Sequence, residues 1–279
     1  MSGEGSKCEP LLARVAEALE RLAPPAAAHD DWLAHPAYVW HGNAARPVAR
    51  IEAPDPGLLR GIDAQKATVF ENVTRLAAGH AAHDMLLWGS RGMGKSALLR
   101  SAVVAAQAGK GQRLALVQVA PDALDSLAAL FTALRGIKRQ FLVYIDDLGF
   151  EDGDSSGPRA LRSWLEGGVE ARPGNVRIAV TSNRRAIVAR HLSEQDDPIN
   201  PRDAVDDRLA LADRFGLSIG FHNCSQDDYL AIIAGYATSY GLDWDQAEAL
   251  EWSKRRGARS GRVAWQFVTE LAGRAGKAV

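Results

Sequence analysis

A glycine-rich stretch, residues 89–96, has the residue types and the spacing that bind phosphate. Gly89, Gly94, Lys95 and Ser96 fill the pattern G-x-x-x-x-G-K-[ST]. Glycines allow backbone conformations in which successive N–H groups point into one concavity. Lys95 is expected to reach the β- and γ-phosphates as a point charge, while the Ser96 hydroxyl ligates Mg²⁺. The nucleotide contacts predicted along this stretch are Gly89, Ser90, Arg91, Gly92, Met93, Gly94, Lys95, Ser96 and Ala97.

The residues on either side of this loop predict the elements that position it. Residues 85–88 are apolar and predict a buried strand, and apolar residues at helical spacing from 97 to 106 predict a helix ending at Gly109. The helix would direct its unpaired N–H groups and the positive end of its dipole toward a phosphate. The alternative is a glycine turn that joins a strand to a helix without a ligand.

Two carboxylates follow another apolar run. Residues 141–145 predict a buried strand that ends in Asp146 and Asp147. Because strands and helices alternate, the sheet is expected to be parallel, with ligands at the carboxyl ends of its strands. Asp146 would hold Mg²⁺ through its water shell, and Asp147 would orient or activate the attacking water. A solvent-facing acidic turn is the alternative.

A polar segment follows the next predicted strand, residues 176–180. Asn183 is the candidate for contacting the γ-phosphate and the attacking water together, and Thr181 is the second choice. The alternative role for Asn183 is to cap a helix or a turn.

The pattern of elements predicts three regions. Residues 1–55 form a helical and irregular extension, with a helix over 11–22 and a segment rich in tryptophan and proline that docks without regular structure. Residues 56–222 form an α/β core with five parallel strands, and residues 223–279 are purely helical. The basic stretch 254–262 is a nucleic-acid patch, a solvated face or the source of one arginine for the nucleotide.

Composition limits the classes of partner. The net charge is −1, so no overall field attracts the chain to nucleic acid or to an anionic membrane. The two cysteines, Cys8 and Cys224, show no paired pattern and suit a reducing compartment. Residues 1–10 lack a secretory pattern, and no apolar run is long enough to cross a membrane. The expected location is the cytoplasm, without a membrane partner.

Taken in order, these motifs resemble those of the AAA+ ATPases, over residues 55–275. In closer detail the chain resembles a bacterial branch of predicted AAA+ proteins classified as a domain of unknown function, through its segments 88–96, 146–148, 181–185 and 259–262. The resemblance implies a P-loop αβα sandwich with a five-stranded parallel sheet, followed by a C-terminal helical lid. It also implies that ATP binds between the core and the lid.

The resemblance also implies roles for single residues. Lys95 and Ser96 match the Walker A pair, Asp146 and Asp147 the Walker B pair, Asn183 sensor 1, Arg262 the sensor 2 arginine that contacts the γ-phosphate, and Arg214 the arginine finger offered to the ATP of a neighbouring subunit. The region around Ile62 falls where such proteins hold the adenine.

The implied activity is hydrolysis of ATP to ADP and phosphate with Mg²⁺, by a homo-oligomer that acts on an unknown protein or other macromolecular client. Many AAA+ motors have Asp-Glu at Walker B, whereas Asp147 is one methylene shorter, so slow hydrolysis is expected. An ATP-gated switch or adaptor with little turnover is the alternative. A DNA-associated loader is suggested only by the basic stretch 254–262 and by the Asp-Asp pair, which also occurs in replication initiators.

Overall fold

The computed structural model describes residues 31–109, 113–148, 161, 164–165, 171–183 and 213–279 of the 279-residue chain. The predicted helix over 11–22 and the polar segment 196–207 lie outside the described residues. Among the described residues, no helix combines the length and the apolar character that a membrane crossing requires.

One seven-stranded sheet forms the centre of the described structure. In chain order its strands are β1 (Ala37–Trp40), β2 (Ala45–Val48), β3 (Met85–Gly89), β4 (Leu114–Val119), β5 (Gln140–Ile145), β6 (Val176–Ser182) and β7 (Leu217–Phe221). Their spatial order is β2-β1-β4-β5-β6-β3-β7. Every pair is parallel except β1 and β2. The carboxyl ends of β3, β5 and β6 therefore lie at one edge of the sheet.

Six α-helices of the described part of the chain cover the sheet or follow it. They are α1 (Asp63–Ala77), α2 (Lys95–Ala108), α3 (Leu127–Leu134), α4 (Gln226–Tyr240), α5 (Gln246–Arg255) and α6 (Gly261–Arg274). Two short 3₁₀ helices, Pro56–Leu58 and Pro121–Ser126, precede α1 and α3. Helices α4 to α6 follow the last strand, as the helical C-terminal pattern predicts.

Capping side chains set the starts of these last three helices. Ser225 accepts a hydrogen bond from the N–H of Asp228 at 3.0 Å, and Asp245 accepts one from the N–H of Glu248 at 2.8 Å. Ser260 caps α6 in the same way. Each cap satisfies one of the N–H groups that a helix leaves unpaired at its first turn. The local sequence therefore fixes where the helices begin.

The sheet has two strands more than the five that the sequence predicts. All five predicted strands are present as β3 to β7, but residues 37–48, expected to be irregular, form β1 and β2. Strand β1 pairs in parallel with β4, and Tyr38 and Trp40 are 2% and 3% exposed. Burial of these aromatic rings favours the added strands. Pro47 lies in β2 at the edge of the sheet, where a strand tolerates a residue without an N–H donor.

Two apolar layers pack against opposite faces of the sheet. One contains α3, the aromatic residues of β1 and the buried Leu161. The other contains α1 and α2, together with buried residues of the C-terminal helices such as Tyr229 and Phe267. The C-terminal helices thus share a continuous core with the sheet, so their packing is coupled to the strands that end at the predicted site.

Gly89 stands where β3 passes closest to β7. Its φ angle is +125°, and a Cβ atom added there would lie 2.0 Å from the carbonyl oxygen of Phe221. The next residue, Ser90, donates its N–H to the same oxygen at 3.0 Å. Only glycine fits both the backbone conformation and the space, so the first glycine of the loop is required by the fold itself.

We expect Gly89→Ala to lower the free energy of unfolding by at least about 3 kcal/mol, because strain and a backbone clash act together. Gly136→Ala is the matched control. Gly136 also has a positive φ of +78°, but nothing lies within 4 Å of its added Cβ. The control should lose about 1 kcal/mol. Urea denaturation measures both values, and equal losses would contradict the role given to the contact with Phe221.

Candidate nucleotide-binding site

A cavity of about 330 Å³ lies at the carboxyl ends of β3, β5 and β6, between the sheet and the C-terminal helices. It is lined by twelve of the residues that the sequence predicts for the site, including the second-choice Thr181: Ile62, Gly92, Met93, Gly94, Lys95, Ser96, Ala97, Asp146, Asp147, Thr181, Asn183 and Arg262. Gly89, Ser90 and Arg91 lie in the same loop but do not line the cavity. The parallel sheet brings together residues that are up to 200 positions apart in the chain.

The loop between β3 and α2 is hydrogen bonded to the last helix. Gly92 and Gly94 have φ angles of +75° and +85°, which turn the backbone around the cavity. The carbonyl of Gly92 accepts a hydrogen bond from the N–H of Arg262 at 3.1 Å. A Cβ atom added to Gly92 would lie 2.9 Å from the Ser260 hydroxyl oxygen. The start of α6 therefore rests directly on the loop and places Arg262 at the cavity.

Lys95 is folded back into the loop. Its ammonium group donates to the carbonyls of Gly89 and Ser90, both at 2.9 Å, and to Oδ1 of Asn183 at 3.0 Å. The residue is 5% exposed. Burial lowers the pKa of Lys95, although the charges of Asp147 and Asp146 oppose the change. The contacts hold a cation at the place where the sequence predicts a polyphosphate.

Three oxygen-bearing side chains meet at the start of the Walker B pair. The hydroxyls of Ser96 and Thr181 donate to the same oxygen, Oδ1 of Asp146, at 2.8 and 2.6 Å. Removal of surrounding water would by itself raise the pKa of Asp146. The hydrogen bonds from Thr181 and Ser96, with the charge of Arg100, instead bring this pKa below its ordinary value. Asp146 is therefore held as an anion beside the hydroxyl predicted to bind Mg²⁺.

Asp147 lies in an uncommon backbone conformation. Its φ angle is +51°, which is the only positive value for a residue other than glycine in the described part of the chain. Its N–H donates to the Thr181 hydroxyl at 2.8 Å, and its carboxylate accepts a hydrogen bond from the Asn183 amide. Arg91 lies 3.6 Å from the other carboxylate oxygen. Thr181 and Asn183, the two candidates from β6, thus contact the two adjacent acids.

Arg214 lies away from the cavity. It stands three residues before β7, at the amino end of this strand, whereas the cavity is at the carboxyl ends. It is half-buried. Of the five predicted catalytic residues, Lys95, Asp147, Asn183 and Arg262 are brought together by the fold, and Arg214 is separated from them by the length of β7.

Seven further residues line the cavity that the sequence did not assign to the site: Leu58, Leu59, Arg60, Arg100, Ile232, Tyr236 and Gly261. Arg100 follows Ser96 by four positions, so helical spacing could have placed it on the same face of α2. Its Nε donates to the Ser96 carbonyl at 3.3 Å. Ile232 and Tyr236 belong to α4, and no local pattern shows that this helix returns to the phosphate loop.

The residues present fit a nucleotide and a magnesium ion. The glycines at positive φ form a cradle that side chains would fill, and Lys95 supplies a cation inside it. A hydroxyl and a carboxylate with a lowered pKa are the hard oxygen ligands that Mg²⁺ prefers. Within the described residues, no group of three or more His, Cys, Asp or Glu side chains forms another metal site.

A family model matches residues 33–275, which is most of the chain. Its description is "Protein of unknown function (DUF815)". The chain belongs to the DUF815 family. None of the curated proteins matches this DUF815 chain.

Solved structures similar to the DUF815 protein include RuvB from Thermotoga maritima, a Holliday junction branch migration motor. Its TM-score is 0.51 at 16% identity, over 79% of this chain and 68% of RuvB. The Aeropyrum pernix ORC1 protein in complex with DNA has a TM-score of 0.55 at 16% identity, over 79% of this chain and 65% of ORC1. The chain thus spans about two thirds of the length of these proteins. The likeness confirms the AAA+ P-loop fold that the motifs predicted.

The lowered pKa of Asp146 leads to a prediction about how the stability of the protein varies at acid pH. A carboxyl whose pKa is lower in the folded state stabilises the protein above its unfolded-state pKa of about 3.9, and this contribution is lost as the pH falls through the lower folded-state pKa. We therefore expect Asp146→Asn to be less stable than the wild type at pH 7, with a difference that shrinks below about pH 4. Urea denaturation between pH 7 and pH 3 measures this. A difference that does not vary with pH would contradict the assignment.

Proposed function

We propose that this DUF815 protein is a Mg²⁺-dependent ATPase that hydrolyses ATP to ADP and phosphate and works as a homo-oligomer on a macromolecular client. The observation that carries the proposal is the convergence of Lys95, the Ser96–Asp146 pair and the Asp147–Asn183 pair on one cavity. A cation, a metal-binding pair and an acid next to an amide are the groups that phosphoryl transfer to water requires.

The phosphate-binding groups have distinct tasks in this proposal. Lys95 leaves the carbonyls of Gly89 and Ser90 and binds the β- and γ-phosphate oxygens, since phosphate is the stronger acceptor. Ser96 and Asp146 hold the metal. Mg²⁺, when bound there, would offset part of the negative charge of the triphosphate. Arg262, carried on the loop by α6, contacts the γ-phosphate from the side of the C-terminal helices.

Asp147 and Asn183 act on the water. Asp147 accepts a proton as the water oxygen attacks the γ-phosphorus, and the bond from this phosphorus to the β,γ-bridging oxygen breaks. Asn183 aligns the carboxylate and the water. The leaving electron pair stays on the ADP oxygen, where Lys95 offsets its charge.

Arg214 is proposed to serve the site of a neighbouring copy. The five residues of β7 separate it from the carboxyl ends of the strands by about 17 Å. Its own site is therefore out of reach, whereas a neighbour packed against the amino end of β7 would receive it. Arginine fingers contribute on the order of a thousandfold or more to the rate.

We expect turnover per chain to rise with protein concentration and to fall on the order of a thousandfold in Arg214→Ala. Lys95→Ala should also be inactive. Mixing the two variants should restore activity, because the first retains an intact phosphate loop and the second retains Arg214. Arg46→Ala, which removes an exposed arginine of β2, is the control. Turnover rates that depend neither on protein concentration nor on Arg214 would refute assembly.

A slow ATP-gated switch or adaptor is the second candidate, favoured by the contacts of Asp147. Its carboxylate already binds the Asn183 amide and pairs with Arg91, and its side chain is one methylene shorter than glutamate. A carboxylate held in this way reaches the attacking water poorly. ATP would then close the C-terminal helices on the core, and a partner would be held or released with little turnover.

Two variants at this position separate the ATPase from the switch. If reach limits the rate, Asp147→Glu should raise single-turnover hydrolysis, while Asp147→Asn should lower it on the order of a hundredfold. Both should retain the ATP affinity of the wild type, which calorimetry with Mg-ATP measures. Fast multiple turnover by the wild type would exclude the switch, and loss of activity in Asp147→Glu would contradict the argument from reach.

The division at residues 55 and 222, the action on a macromolecular client and the cytoplasmic location stay predictions from the sequence. A DNA-associated role also stays a prediction that depends on the basic stretch 254–262.

A further inference from the structure

Four exposed cations lie together at the end of α5 and in the turn before α6. Lys254, Arg255, Arg256 and Arg259 are here called the basic patch. None of them forms an ion pair with another residue of the described chain. The guanidinium groups of Arg255 and Arg256 lie 5.7 and 4.9 Å from the ring centre of Trp252, which orients them without neutralising them.

The turn before α6 connects the basic patch to the nucleotide cavity. The turn that carries Arg259 leads directly into Ser260, which caps α6 and approaches Gly92. The N–H of Arg262 is bonded to the Gly92 carbonyl. A molecule that binds to the basic patch would therefore contact the turn that holds Arg262 at the phosphate loop.

One segment of the chain has the complementary charge. Residues 194–207 contain six carboxylates and one arginine, a net charge of −5, whereas residues 254–262 contain five cations and no acid, a net charge of +5. The two blocks cancel within a chain whose net charge is −1. The acidic segment ends seven residues before Arg214, so it stays within about 24 Å of chain from that residue.

We propose that the basic patch is the docking surface for the acidic segment 194–207 of a second copy of this chain. The inference rests on the proposed function, because the docked segment would guide Arg214 to the neighbour's γ-phosphate. The patch and the segment are different surfaces, so the contact is head-to-tail and repeats from copy to copy. Charge complementarity of this kind fixes the orientation of the partners and speeds their encounter.

Charge complementarity between two parts of the same chain favours the acidic segment 194–207 over nucleic acid as the partner of the basic patch. The same acidic segment would repel a phosphate backbone, and the chain as a whole has no positive excess to attract one. Assembly in the presence of Mg²⁺ and a non-hydrolysable ATP analogue is expected to weaken as salt rises from about 50 to about 300 mM, because exposed charges are then screened.

The test reverses charge on each side separately. Variant P carries glutamate in place of all four cations of the basic patch (Lys254→Glu, Arg255→Glu, Arg256→Glu and Arg259→Glu), and variant A carries Asp196→Lys, Asp197→Lys, Asp206→Lys and Asp207→Lys, so that residues 254–262 change from +5 to −3 and residues 194–207 from −5 to +3. Alone, P places acid against acid and A places base against base, so both should lose assembly by analytical ultracentrifugation. Mixed in equal amounts, each variant's segment meets the other's patch with opposite charge. Assembly and concentration-dependent turnover should then return.

A control variant with Arg46→Glu, Arg50→Glu, Arg113→Glu and Lys138→Glu changes the net charge as much as variant P does, at four exposed sites away from the basic patch. It should assemble as the wild type does. ATP affinity is measured for every variant at a concentration where the wild type is monomeric. P and A should bind ATP as the wild type does. A wild type that binds no ATP refutes the proposed function, which separates that failure from a failure of the docking surface.

Three results would overturn the inference. Normal assembly of P or of A would show that the charges do not form the interface. Rescue only when the substitutions of P and A are combined in one chain, and never by mixing, would place the contact within a single copy. Normal assembly of P together with loss of binding to a fluorescent 30-nucleotide single-stranded DNA would assign the basic patch to nucleic acid.

Discussion

Charged side chains at the ends of buried parallel strands must find partners, because burying an unpaired charge is costly. Here Lys95, Asp146 and Asp147 form hydrogen bonds with residues that lie next to one another. Lys95 binds loop carbonyls and Asn183, Asn183 binds Asp147, and Asp146 accepts from Ser96 and Thr181. One connected set of hydrogen bonds thus joins the loop after β3 to the ends of β5 and β6. In the proposed function, a nucleotide would exchange contacts within this set.

The same loop connects the site to the C-terminal helices. Because Gly92 contacts Ser260 and Arg262, a change in the loop backbone would shift the start of α6. Tyr236 of α4 lines the other side of the cavity. In the proposed cycle, binding of the γ-phosphate would therefore alter the position of these helices and of the basic patch. This would couple the nucleotide state to the contact between copies, since both use the turn before α6.

Strands β1 and β2 extend the sheet beyond the strands that carry the site. They bury Tyr38 and Trp40 beside β4, far from the phosphate loop, while β7 at the opposite edge follows Arg214. The sequence did not predict these strands, because prolines and isolated aromatic residues give no regular alternation. Their pairing depends on the exposed edge of β4, a partner that lies more than sixty residues away in the chain.

Contacts between residues that are close in the chain follow from local sequence patterns. The spacing from Gly89 to Ser96, the acids after β5 and the capping residues of α4 to α6 act through neighbouring backbone, so their patterns are visible in a linear chain. Contacts between distant elements follow instead from how the helices and strands pack in the folded chain. Packing and strand order place α6 against Gly92, bring Tyr236 to the cavity and separate Arg214 from the cavity of its own chain. Those depend on contacts between residues that no short pattern connects.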